Sequence, residues 1–337
     1  MPSLAFGDSM RRRDLVKVVI GSAAAFACAA RAQQPDHMRR IGLLTNVALD
    51  DQDNNARIAG FQQRLKQLGW TDGHNVRIDY RFAGGNLENF PKYAAELVAL
   101  APDVIVASGN ALSAMLQATR MVPVVFAFAV DPVGSGYVES LARPGGNATG
   151  FLLLEYDLSA KWLELLKEIA PGVTRVAVLR NPAEIAGIGQ FAVIQSVARS
   201  VGVDVSVINL REGGDIEGAI KAFARSPNGG LIVVASALAS VQRNLIIDLA
   251  ARHGLPTVYF DRVFVAGGGL ISYGSDLAEG YRRAAGYVDR ILKGEKPADL
   301  PVQAPITYEL AINIKTAKAL GLTMPPAVLA RADAVME

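Results

Sequence analysis

The stretch LARPGGNATG, residues 141–150, interrupts a chain of apolar runs, and its reading decides the fold. Two adjacent glycines could cradle a phosphate, Asn147-Ala148-Thr149 matches a glycosylation acceptor, and the whole stretch could be a joint where the chain changes domain. A phosphate loop of the G-x-x-x-x-G-K-[ST] type is absent here and from the rest of the chain. The acceptor needs a eukaryotic secretory pathway, and the N-terminus described below points to a bacterium. The rhythm on either side of the stretch decides for the joint.

Before it, IGLLTN reads as a buried strand, and Ile58, Phe61, Leu65 and Leu68 recur at helical spacing until Gly69 stops the helix. NVRIDYRF alternates as a second strand, PKYAAELVALAPD is a helix, VIVAS a strand, ALSAMLQATR a helix and VPVVFAFAV a fourth strand. After it the pattern restarts. Residues 157–170 form a helix burying Trp162, Leu165, Leu166 and Ile169. Then come RVAVLRN, a helix near residues 190–201, VDVSVINL, a helix near 216–225, GLIVVAS, a helix near 241–253, and PTVYFD.

Strands alternating with helices predict an α/β fold of two doubly wound parallel-sheet lobes. The remaining segment, GGGLISYG, a helix over 277–292, KGEKPADLPV and YELAINIKTAKALGL, is too short for a third domain. It is predicted to return to the first half and cross back, giving three crossovers. The expected boundaries are 39–148 with 268–304 for one lobe, 149–267 with 305–323 for the other, and a tail over 324–337. Gly145 and Gly146 then make the turn, with Thr149, Gly150, Phe151 and Leu152 as the first hinge strand.

Catalytic chemistry finds little support. His37, His74 and His253 are the only histidines, and each has an ordinary place: near the processed terminus, in the turn TDGHN, and at a helix end. No G-x-S-x-G elbow occurs. Gly187, Gly189 and Ala192 match G-x-G-x-x-A and keep open a nucleotide-dependent enzyme. However, the first glycine falls seven residues after Arg180 ends its strand, where the fingerprint needs a tight turn. No metal, cofactor or catalytic residue is expected.

Open parallel sheets bind ligands beyond the carboxyl ends of their strands, where helix N-termini present free N–H groups. The candidate ligand-binding residues at those positions are Thr45, Asn46, Ser108, Gly109, Asn110, Asp131, Asn181, Ser236 and Asp261, with Tyr273 on the returning segment. The Ser108-Gly109-Asn110 step suits a carboxylate, and helix capping would use the same groups.

The 337 residues carry a net charge of +2, but residues 1–32 hold five basic residues (Arg11, Arg12, Arg13, Lys17, Arg31) and two acids (Asp8, Asp14). Removing that +3 from +2 leaves the body at −1, which argues against a nucleic-acid partner. RRRDLVK, a short apolar run and Ala30-Arg31-Ala32 read as an export signal cleaved after Ala32, of twin-arginine type or an ordinary secretion signal with three arginines, with translation starting at Met1 or at Met10. The one cysteine, Cys28, lies in that signal without a lipobox, so the mature chain is expected to be thiol-free, periplasmic, monomeric and without a membrane span.

DPVGSGYVESLARPGGNATG, VAVLRNP, LAARHGLP, ISYGSDLAEGYRRAAGYVDRILKGEKPADLPVQ and INIKTAKALGL, in this order, resemble the substrate-binding proteins of a large bacterial ABC-importer family. The resemblance covers essentially the whole mature chain. It implies a type I periplasmic-binding-protein fold, with a small-molecule ligand in the interlobe cleft and an inner-membrane ABC permease as partner. It further implies that an amino acid or related carboxylate would be held near Ser108, Gly109 and Asn110. Asp131 and Asp261 are amine partners by chemistry. A periplasmic sensor for a receptor kinase or chemoreceptor would share the same fold and cleft.

Overall fold

The computed structural model describes residues 38–337 apart from Val47, Gly85, Leu87 and Glu212. The expected export signal and its cleavage point, Cys28 and His37 lie outside the described residues.

The first sheet grows from the apolar runs before the joint. It contains β1 (Arg39–Thr45), β2 (Val76–Phe82), β3 (Val104–Ser108), β4 (Val124–Ala129) and β5 (Ala148–Leu152), in the spatial order β2-β1-β3-β4-β5, all parallel. Between the strands run α1 (Gln52–Gln67), α2 (Asn89–Ala99) and α3 (Ala111–Ala118). Strand alternation divides the core in two: Val104 and Val106 face one cluster with Ile58, Phe61 and Leu65 of α1, and Ile105 and Ala107 face another with Ala94, Leu97 and Met115. Each sheet face is therefore covered by helices.

The second lobe starts with α4 (Leu158–Ile169), then β6 (Arg175–Arg180), α5 (Ile185–Ala198), β7 (Asp204–Asn209), α6 (Ile216–Ala224) and β8 (Gly229–Val233). After these come α7 (Ala237–Val241), α8 (Arg243–Arg252), β9 (Thr257–Tyr259), α9 (Arg262–Ala266) and β10 (Ile271–Ser275). The long α10 (Leu277–Leu292) follows, then β11 (Tyr308–Asn313), α11 (Ile314–Ala319), α12 (Pro326–Ala330) and β12 (Ala334–Met336). The seven strands order as β12-β11-β10-β9-β8-β6-β7, with β10 and β11 antiparallel. One cluster built on Trp162, Leu166, Val178, Ile232 and Phe264 fills this lobe.

Two doubly wound lobes are thus present, but the pairing puts three boundaries elsewhere. Thr149, Gly150, Phe151 and Leu152 belong to β5 and close the edge of the first sheet: all four are buried, and Phe151 packs against Tyr287 of α10 at 4.7 Å between ring centroids. The crossing begins only at Leu153. The returning segment does not enter the first lobe at residue 268, because Ile271 and Ser272 pair with Val258 and Tyr259 of β9 and the whole of β10 pairs with β11. It crosses after Ser275, and α10 returns to pack Tyr281, Ala284 and Val288 against the α1 side of the first sheet, followed by Leu300 and Val302 in the cores of the same lobe. The tail is likewise structural, since β12 adds Ala334, Val335 and Met336 beside β11.

The three crossings are bonded to one another. Leu152 donates its N–H to Gln303 O (2.8 Å), Gln303 donates to Gly150 O (3.0 Å), and the Ser275 hydroxyl donates to Leu153 O. Among the described residues no helix is long and apolar enough to cross a membrane.

Candidate functional site

Both sheets point the carboxyl ends of their strands at the same space. A cavity of about 560 Å³ lies there, adjoined by a second of about 400 Å³. Asn46, Phe90, Asn110, Asn181, Ala183 and Ala237 line both. From the first lobe come Asn46 after β1 and Gly109-Asn110 after β3; from the second come Asn181 after β6, Ser236 after β8 and Asp261 after β9. Phe90, Phe128, Tyr137 and Phe260 supply aromatic walls.

Local structure explains how each polar group is held. Gly109 turns the chain from β3 into α3 at φ +58°, and a Cβ there would sit 3.6 Å from the Asn46 side chain, so these two positions are neighbours. Asn110 occupies the N-cap of α3 without making a side-chain cap bond, which leaves its amide for a ligand, whereas Leu112 N–H already donates to Gly109 O (3.2 Å). Ser236 and Asp261 do cap, accepting from Ala239 N–H (3.0 Å) and Val263 N–H (3.1 Å). Asn181 is fixed by Ala183 N–H (3.0 Å) and by its own donation to Glu184 Oε1 (3.0 Å).

Four sequence candidates lie away from the cavity. Thr45 and Ser108 are each 1% exposed beneath it, because the last residue of a strand on this face points into the core. They form a relay in which Tyr281 OH donates to Ser108 Oγ (3.2 Å), Ser108 to Thr45 Oγ1 (3.3 Å) and Thr45 to Asn54 Oδ1 (3.4 Å). Burial pushes the Tyr281 hydroxyl up from its usual titration range. Asp131, at φ +48°, already has both oxygens occupied: Gly134 N–H donates to Oδ1 (2.8 Å) and Tyr156 OH to Oδ2 (3.0 Å). That second bond joins the lobes beside the first crossing, and burial followed by Asp131 pushes the Tyr156 hydroxyl up. Tyr273 stacks at a tilt on Tyr308, 5.8 Å between centroids, and its carbonyl accepts from Trp162 Nε1 (2.7 Å).

Apart from Asp261, the charged cavity residues carry no mark in the sequence. Arg57 of α1 reaches Asp261 at 3.2 Å, and Arg243 of α8 reaches Asp51 at 2.9 Å, so two ion pairs tie one lobe to the other. Burial tends to raise the Asp51 carboxyl, but Asn54 N–H, Arg243 and Arg57 outweigh it and hold the group below the usual carboxylate range. Glu184 also lines the cavity. Helix residues such as Arg57 carry no local mark of a site. Glu184 sits in NPAEI, which reads only as a helix start.

The glycines of GIGQFA lie inside α5 and not in a strand-to-helix turn. A Cβ at Gly189 would fall 2.5 Å from the Tyr156 ring, so close packing against the crossing accounts for that glycine without a nucleotide. Of the histidines, His74 is exposed and His253 is the C-cap of α8. Among the described residues no group of histidine, cysteine and carboxylate side chains could hold a metal.

Two parallel α/β lobes, three crossings and a cavity between facing strand ends define a type I periplasmic-binding-protein fold. The chain belongs to the ABC transporter substrate binding protein family, whose model matches residues 43–336. The family is one of binding proteins, not enzymes. The chain is similar to a tyrosine-binding protein of Clostridioides difficile, 27% identical over 270 residues that cover 78% of this chain and 76% of that one. It also resembles a conserved domain protein from Vibrio cholerae (29% identity, TM-score 0.82) and the ABC domain in complex with L-Trp from Streptococcus pneumonia (26% identity, TM-score 0.81). Each alignment to these two structures covers 88% of this chain and 99% of the other.

Proposed function

We propose that this protein is the exported solute receptor of an ABC importer, a monomer that captures an aromatic α-amino acid between its lobes and hands it to an inner-membrane permease. One observation carries the reading: a cavity of about 560 Å³ in which four aromatic rings meet polar strand-end groups from both sheets. That size lies within the range of small-molecule sites, about 300–1,000 Å³, and a large apolar body with few placed polar groups is their usual composition. The ligand carboxylate docks at Gly109 and Asn110, where the N-terminus of α3 favours an anion. Relatives that bind tyrosine and tryptophan support the ligand class. Capture proceeds by closure. The ligand touches both lobes only when they are together, so it shifts the equilibrium toward the closed state, with Leu153, Ser275 and residues 304–307 absorbing the rotation.

Calorimetry with L-tyrosine and L-tryptophan, paired with small-angle scattering, tests the proposal. Saturable binding with a smaller radius of gyration is expected; no response to either amino acid at millimolar concentration would sink it. Asn110→Ala should weaken binding about tenfold or more by removing a carboxylate donor. Ser108→Ala should instead lower stability by about 1 kcal/mol, through the lost acceptor for Tyr281, and leave affinity within about threefold. Equal losses of affinity in both variants would return Ser108 to the site.

A further inference from the structure

Four carboxylates line the larger cavity, and the protein neutralises them unequally. Asp51 is paired with Arg243 and Asp261 with Arg57. Asp53 is half-exposed near the start of α1. Glu184 is half-buried and meets only neutral donors, Asn181 Nδ2 on Oε1 at 3.0 Å and the Ala237 backbone N–H. Among the described residues no lysine, arginine or histidine pairs with it. Its backbone is extended at the N-cap position of α5, yet the side chain caps nothing. It leaves its own helix and bridges toward the start of α7, at the cavity wall.

A carboxylate taken partly out of water without a cation is costly unless a cation arrives with the ligand. We propose that Glu184 is the anionic partner of a cationic nitrogen on the ligand, its α-ammonium if the ligand is the amino acid of the preceding subsection, on which reading this inference rests. Asp261 and Asp131 are thereby released from that role, since Arg57 holds the first and Gly134 and Tyr156 hold the second. The site then selects against acids of the same shape that lack the nitrogen.

Geometry and titration agree. Burial pushes the Glu184 carboxyl up to about 7, against the two hydrogen bonds that lower it. An arriving ammonium favours the ionised form, so the carboxylic acid loses its proton to solvent and the ligand keeps its own. Of the other charged groups around the two cavities, Asp51 with Arg243 and Asp261 with Arg57 are matched pairs; Asp53 and Arg211, which lines the smaller cavity, are of opposite sign, and Arg180 of β6 lies over the Phe191 ring without an ion-pair contact to Glu184.

The test is calorimetry on wild type and Glu184→Gln with L-tyrosine and with 3-(4-hydroxyphenyl)propanoate, its counterpart without the amine. Wild type should prefer L-tyrosine by about 30-fold or more, and the variant by about threefold or less. Wild-type affinity for L-tyrosine should rise about eightfold from about pH 6 to about pH 7.5 as the carboxyl ionises, while the variant stays flat. Stability without ligand runs the other way. The folded carboxyl titrates above its ordinary 4.5, so wild type loses stability as pH climbs through that interval to about 7, and Glu184→Gln does not. Should the variant fail to fold, the wild-type pH slope and amine preference remain decisive. A preference retained in Glu184→Gln, or no preference in wild type, overturns the inference and leaves the amino-acid reading standing. Absence of binding by both L-tyrosine and L-tryptophan overturns that reading and this inference with it.

Discussion

Arg57→Ala is expected to weaken ligand affinity by about two orders of magnitude while barely changing the temperature at which the protein unfolds. Arg57 and Asp261 approach to 3.2 Å with side chains only 15% and 6% exposed. They come from opposite lobes, so under the proposed closure the pair forms only when the cleft shuts. Removing the guanidinium leaves the Asp261 carboxylate buried and unmatched, and breaking such a pair costs about 3–5 kcal/mol. If the lobes part as proposed, the open state escapes that penalty, because Asp261 then meets water. The cost therefore falls on closure and not on folding. A penalty of about 3 kcal/mol on the binding-competent state lowers apparent affinity about 100-fold. Calorimetry and scattering on the variant measure both quantities, and an affinity and closed fraction equal to wild type would show that the pair does not hold the lobes.

The second bridge, Asp51 with Arg243, should matter less. The Arg243 side chain is 28% exposed, so water screens it in both states. Arg243→Ala is expected to cost about tenfold or less in affinity, and the order of the two variants is itself informative.

The lobes could be read from the chain because each strand carries its own period and each helix its own stripe. The helix over 277–292 is legible to the residue, since Tyr281, Ala284 and Val288 repeat on one face. Pairing between distant strands leaves no such mark. PGGNATG announces a turn, but nothing in it says that Ala148–Leu152 will lie against β4; only packing on Tyr287 and Gln303 does that. The site was half readable for a related reason. Residues just past a strand, such as Asn46, Gly109, Asn110 and Asn181, reach the cavity, whereas Thr45 and Ser108, one residue earlier, follow the alternation into the core. Phe90 and Tyr137 arrive from a helix and a loop whose positions depend on tertiary contacts, and Glu184 was hidden by its resemblance to an ordinary helix cap.

Gly150→Ala is expected to be among the most destabilising single-methyl substitutions in the chain. Gly150 lies at φ +155° opposite Phe126, where the register of β4 and β5 shifts between Phe126 and Ala129. A Cβ at this position would stand 2.1 Å from the Phe126 carbonyl oxygen and 2.8 Å from its ring. The obstacle is backbone in a buried strand and cannot rotate aside, so β5 must lift from the sheet. Strain and overpacking of this kind cost about 3 kcal/mol or more, roughly a 6–12 °C fall in melting temperature for a body of this size. Because β5 feeds directly into the first crossing and bonds to Gln303, ligand closure should suffer as well. Gly146→Ala provides the contrast a few residues upstream: no atom lies within 4 Å of its Cβ position, and it should shift stability by no more than about 0.5 kcal/mol. Equal melting temperatures for the two variants would mean that β5 yields where the geometry says it cannot, and would return residues 149–152 to consideration as the hinge.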